Sequence, residues 1–98
     1  MQFLVRTVSR LPADFPADRR SDLLARERER SRELSGAGKV LAHWQIPVAG
    51  DSLTLWEVSG AQELHELLMA LPAAAWVQSS VTPLIDRRLR QHAKPAGS

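Results

Sequence analysis

From Ala17 to about Gly36 the chain carries no proline and is rich in Arg, Glu, Leu and Ala, a composition that predicts one long helix. Its limits lie in the flanking residues. Two prolines in Leu11-Pro12-Ala13-Asp14-Phe15-Pro16 break the segment in front, because proline cannot continue a central ladder. Gly36 and Gly38 supply the stop behind, where glycine relieves left-handed strain. What surrounds this helix reads as strand. Gln2 to Ser9 alternates, with Phe3 and Val5 on one face and Leu4, Arg6 and Val8 on the other. Residues 39–46 and 52–58 form two further strands joined by the hairpin connection Pro47-Val48-Ala49-Gly50-Asp51. Ser59, three residues before Gln62, has capping-box spacing and opens a second helix that runs to about Leu71 and stops at Pro72. Residues 74–82 form a fourth strand, and a basic tail follows. The order β-α-β-β-α-β predicts an α+β domain of the ferredoxin-like kind, a four-stranded antiparallel sheet with both helices on one face. The domain is expected over residues 1–84, with residues 85–98 as a tail able to form a short helix.

Ninety-eight residues make one domain, and one this small hides only about 60–65% of its unfolded surface, which favours completion by a partner subunit. A sheet with apolar residues on both faces and helices on one points the same way, to a homodimer or larger homo-oligomer. The chain has no cysteine, hence no disulfide framework, thiolate zinc site or thiol nucleophile. The N-terminal residues lack the apolar core of a signal peptide, and no apolar run approaches the roughly 20 residues that span a bilayer. The expectation is a cytoplasmic protein with no membrane partner. Arginines cluster at residues 19–32, but Glu27, Glu29 and Glu33 interleave with them as on a solvated, ion-paired helix face. The formal charge is only +2, which does not suit a nucleic-acid partner.

At 100° per residue Leu23, Leu24 and Leu34 define the apolar stripe of the first helix, and Glu27 falls inside it with Ser31 one turn further along. A carboxylate drawn toward a core is either paired or raised in pKa, and a raised pKa suits a general base or acid near neutrality. Ion pairing with Arg6 or Lys39 is the structural alternative. On the second helix Leu64, Leu67, Leu68 and Leu71 form the buried stripe, and His65 lies at its boundary, suited to proton shuttling or to a hydrogen-bonded flanking role. His43 lies on a strand and His92 in the tail, and the three histidines have no ligand-like spacing, so no metal is expected. Trp44 and Trp56 lie on neighbouring strands and Trp76 opens the fourth, placed for core or interface packing or for an aromatic wall against a flat organic ligand. Gly-x-Gly-x-x-Gly, a Walker loop and Gly-x-Ser-x-Gly are all absent. What remains is acid–base chemistry on a small organic substrate, with no cofactor.

At this point the chain resembles the muconolactone isomerase family, over about residues 1–84. The resemblance rests on Phe3-x-Val5-Arg6, Leu11-Pro12, Glu27 with Glu33-Leu34, Gly38-Lys39, Trp44, Glu57-Val58, Glu63-Leu64-His65, Leu71-Pro72 and Val81-Thr82, in order and at matching spacing. It implies a ferredoxin-like chain that assembles through its sheets and moves a double bond in an unsaturated lactone by a proton shift, without metal or cofactor. It implies that Glu27, Arg6, Lys39 and His65 are the retained machinery; together with the reading of the residues this gives Glu27, His65 and Lys39 as candidate catalytic groups and Arg6, Trp44, Gln45, Ser52 and Trp56 as candidates about the substrate. Five positions depart from the family pattern: Gln45 replaces an arginine, Gly50 and Ser52 a tyrosine and an asparagine, Leu4 a histidine, and Arg87 the histidine near the C-terminus. An arginine exchanged for glutamine loses a charged fork suited to a carboxylate. The expected function is a diverged isomerase-like enzyme acting on a lactone, enone or polyketide-like substrate. The alternatives are a muconolactone isomerase in the strict sense and a non-catalytic binding or assembly module on the same fold.

Overall fold

The alternation of the first eight strand residues places Phe3 and Val5 under the helices and Leu4 and Arg6 on the opposite face. The computed structural model describes residues 1–87 and builds this segment as β1 (Gln2–Ser9). The helix α1 (Ala17–Gly36) begins directly after Pro16 and unwinds through Ala37 and Gly38, whose φ of 76° lies in the left-handed region. There follow β2 (Val40–Gln45), β3 (Ser52–Glu57), α2 (Ala61–Met69), a short 3₁₀ turn at Ala74–Trp76, and β4 (Val77–Leu84). The strands form one sheet in the order β2-β3-β1-β4, every neighbouring pair antiparallel, the ferredoxin-like arrangement expected from the order of elements.

Three local expectations are corrected. The fourth strand begins at Val77, not at Ala74, because the chain first coils through the 3₁₀ turn that contains Trp76. It then continues through Pro83, which an edge strand tolerates. The N-terminus of α2 is tied by Glu63, not Gln62: Glu63 Oε1 accepts the Ser59 backbone N–H at 2.7 Å, while Gln62 Nε2 donates to Glu66 Oε2 at 3.0 Å. Leu24 is half exposed. Leu23 and Leu34 are eleven residues apart, about three full turns, so they share a line on α1 from which Leu24 is rotated by about 100°. Residues 85–87 hold no regular structure, and the short helix expected of the tail would fall largely outside the described residues.

The core collects at one end of the space between sheet and helices. Phe3 and Val5 of β1, Trp56 of β3, Val58, Leu34 of α1 and Leu64 of α2 are all buried, with Val40, Leu67, Leu68 and Leu71 packed around them. Both helices therefore cover the face bearing Phe3, Val5, Thr54 and Trp56. One irregularity sets which side chains of β2 join that face. Val40 is opposite Trp56 and Ala42 opposite Leu55, so one extra residue, Leu41, is accommodated as a bulge. Beyond it His43 pairs with Thr54 on the helix-covered face, and Trp44 pairs with Leu53 on the other.

Candidate functional site

Beside the packed end a cavity of about 600 Å³ lies between the helices and the sheet. Its floor is the helix-covered face of the sheet: Thr7 from β1, Ser52, Thr54 and Trp56 from β3, Ser79 and Val81 from β4, and His43 from β2. Glu27, Ser31 and Ser35 of α1 form one wall; His65, Leu68 and Met69 of α2 form the other, with Leu71, Ala73 and Ala74 following. Hydroxyls, two imidazoles, one carboxylate and, on α1, Arg32 thus line a chamber whose remaining walls are mostly apolar, the composition typical of a small-molecule site.

Glu27 is half-buried at the edge of the chamber. Its partner is neither Arg6 nor Lys39: Oε1 accepts the backbone N–H of Ala73 at 2.6 Å, which ties α1 to the segment after α2. Oε2 takes no hydrogen bond among the described residues. Trp56 donates its indole N–H to Thr54 Oγ1 at 2.8 Å, so the ring offers the chamber an apolar face with its polar atom already satisfied. His65 is exposed and shares the chamber lining with Glu27.

The other expected residues lie elsewhere. Lys39 Nζ is 2.7 Å from Glu63 Oε2, an ion pair that joins the start of β2 to the first turn of α2. This lysine and the Ser59 backbone N–H hold the Glu63 carboxyl down at about 2, from an ordinary value of 4.5. Arg6 lies on the uncovered face of the sheet, where Nε and Nη2 donate to Asp51 Oδ2 at 3.1 and 2.6 Å. Trp44 is half exposed on that same face, so Trp44 and Trp56 do not form a joint wall. Gln45 pairs with Ser52 at the outer end of β2, and only Ser52 of the two lines the chamber. Conversely His43, not chosen as a site residue from sequence, lines the chamber. Simple alternation from Val40 puts His43 on the opposite face; the bulge at Leu41 reverses it.

The profile of the muconolactone delta-isomerase family matches residues 1–88. A muconolactone delta-isomerase of Cupriavidus pinatubonensis is 33% identical over 84 residues, covering 86% of this chain and 91% of that relative. The chain belongs to the muconolactone delta-isomerase family. Another member, from Rhodococcus opacus, is 32% identical over 82 residues, covering 84% of this chain and 88% of its own. A crystal structure of a muconolactone isomerase superposes with a TM-score of 0.84 at 26% identity, covering 90% of this chain and 92% of that one. The fold alone extends to a 5-chloro-2-hydroxyhydroquinone dehydrochlorinase of Burkholderia phenoliruptrix, at a TM-score of 0.65 and 18% identity over 87% of this chain and 94% of that one. Of the positions that depart from the family pattern, Ser52 lies in the chamber. Leu4, opposite Leu55 and Thr82, lies on the uncovered face of the sheet.

Proposed function

We propose that the chamber is the active site of a cofactor-independent proton-transfer enzyme acting on a small lactone, enone or polyketide-like substrate. The observation that carries this reading is Glu27, a half-buried carboxylate at a chamber of about 600 Å³, oriented through Oε1 by Ala73 with Oε2 left for substrate. Oε2 accepts a proton from a carbon conjugated with the substrate carbonyl. The C–H electron pair passes into the conjugated system as an enolate, and the proton returns at another carbon, which moves the double bond. His65, on the facing helix, donates a hydrogen bond to the developing oxyanion. Lys39, engaged by Glu63, acts through the position of α2 and not on the substrate. The apolar groups around Trp56 exclude water, which strengthens these interactions. With Ser52 in the chamber in place of a larger amide, a substrate carrying a less polar group at that end than muconolactone fits best. Muconolactone is the reference substrate, and its turnover separates the strict family activity from this diverged one.

Glu27→Gln keeps the acceptor for Ala73 N–H and deletes the base. Its kcat is expected to fall by about 10²- to 10⁴-fold at an unchanged melting temperature. A folded variant within about threefold of the wild-type rate would assign Glu27 a structural role and leave the chamber as a binding site.

A further inference from the structure

Beside the chamber lies a second, smaller cleft of about 210 Å³. The two share Thr7, Glu27, Ser52, Ala73 and Val77, so the Glu27–Ala73 hydrogen bond stands at their junction. The character of the lining changes across that junction. Past Glu27 the large side chains are Leu11, Leu23, Leu24 and Trp76, joined by the small residues Ser9 and Gly50, with no titratable side chain other than Glu27 itself. Trp76 is braced from behind: its ring meets Phe15 edge-on at a centroid distance of 5.2 Å, and the Arg19 guanidinium sits 4.8 Å over Phe15. The aromatic wall is therefore held in place before any ligand arrives, which lowers the cost of binding.

We infer that this cleft is a subsite for an apolar substituent of the substrate, so that the proton-transfer site accepts a lactone or enone bearing an alkyl or aryl group beside the reacting carbons. The inference rests on the proposed reading of the chamber and names the substrate class more closely. Continuity supports it, since a molecule whose reacting carbon lies against Glu27 enters the cleft with whatever it carries on the other side. Size supports it too. A cavity of about 150 Å³ lined by apolar side chains holds benzene, and the cleft is larger than that. A methyl group leaves most of it unfilled; a phenyl ring occupies it against Trp76 and Leu23.

The test compares binding of a γ-methyl and a γ-phenyl butenolide to the full chain, followed by NMR titration with the Trp76 indole N–H as reporter. The phenyl compound is expected to bind about tenfold more tightly or better, as several buried carbons predict, and to shift the Trp76 signal where the methyl compound does not. Leu24 is half exposed, so replacing it does not disturb the core. Leu24→Trp fills the cleft and brings the two dissociation constants to within about twofold; Leu24→Ala removes part of the apolar wall and narrows the gap without abolishing it. Equal wild-type affinities, a phenyl preference that survives Leu24→Trp, or failure of both compounds to bind would overturn the inference. Loss of turnover in Glu27→Gln with equal affinities would leave the proton-transfer reading standing and remove the subsite. Retained turnover in Glu27→Gln with the phenyl preference intact would do the reverse.

Discussion

Glu27 shows how a residue can be located from sequence while its partner is not. Its place on the line through Leu23 and Leu34 follows from helix geometry alone, whereas the donor that orients it is a backbone N–H 46 residues away. A backbone group carries no mark in the sequence, so side-chain chemistry alone offers Arg6 and Lys39 as the partners of a paired Glu27. Val48 is a second residue whose state depends on its surroundings. It lies at the tip of the β2–β3 hairpin, fully exposed, with φ at 69°. A β-branched side chain in that region is strained by roughly 1–2 kcal/mol. Asparagine tolerates the same φ without the added chain freedom of glycine. Val48→Asn is therefore expected to stabilise the fold by about 0.5–1 kcal/mol, read as a higher midpoint in chemical denaturation at unchanged slope. A lower midpoint would show that the turn relaxes with valine in place.

At the level of elements, the spans of β1 and α1 agree with expectation because each is bounded by proline or glycine and carries one clear periodicity. The start of α2 does not, since two acceptors near Ser59 compete and the carboxylate of Glu63 prevails, joined there by Lys39. This tie has a pH signature. The Glu63 carboxyl titrates near 2 in the folded chain, below its ordinary 4.5, so the stability it contributes is present above about pH 4.5. That contribution is lost as the pH falls from there toward 2. Glu63→Gln should be less stable at neutral pH and should show a shallower loss of stability across that acid window. Parallel acid limbs in the two proteins would mean that Lys39 does not hold Glu63 in solution. The bulge in β2 is the other event at this scale. One inserted residue exchanges the faces of His43 and Trp44, and nothing in the alternation of residues 40–45 announces it.

For the whole molecule, the uncovered face of the sheet carries Leu4, Leu53 and Leu55 beside the half-exposed Trp44. These side chains bracket Arg6 and Asp51, whose ion pair closes off the polar edge of the patch. The proposed assembly buries this face against a second copy. Light scattering at micromolar concentration is expected to return a mass at least twice the 10.9 kDa of the chain, and Leu55→Asp to reduce it toward that value. A wild-type mass of one chain would remove the proposal.

The sequence by itself determined the order of elements, their connection into one antiparallel sheet, the family and the presence of a carboxylate on the helix line that faces the sheet. Those properties depend on local periodicity, on turn residues and on matches spread along the chain. Tertiary structure decided which groups meet. Lys39 goes to Glu63 and Arg6 to Asp51 because opposite charges from distant segments come within reach only after folding. His43 enters the chamber because a single bulge shifts the register of an edge strand. The buried cluster gathers around Phe3, Val58, Leu34 and Leu64, and beside it side chains far apart in sequence face one another across the chamber.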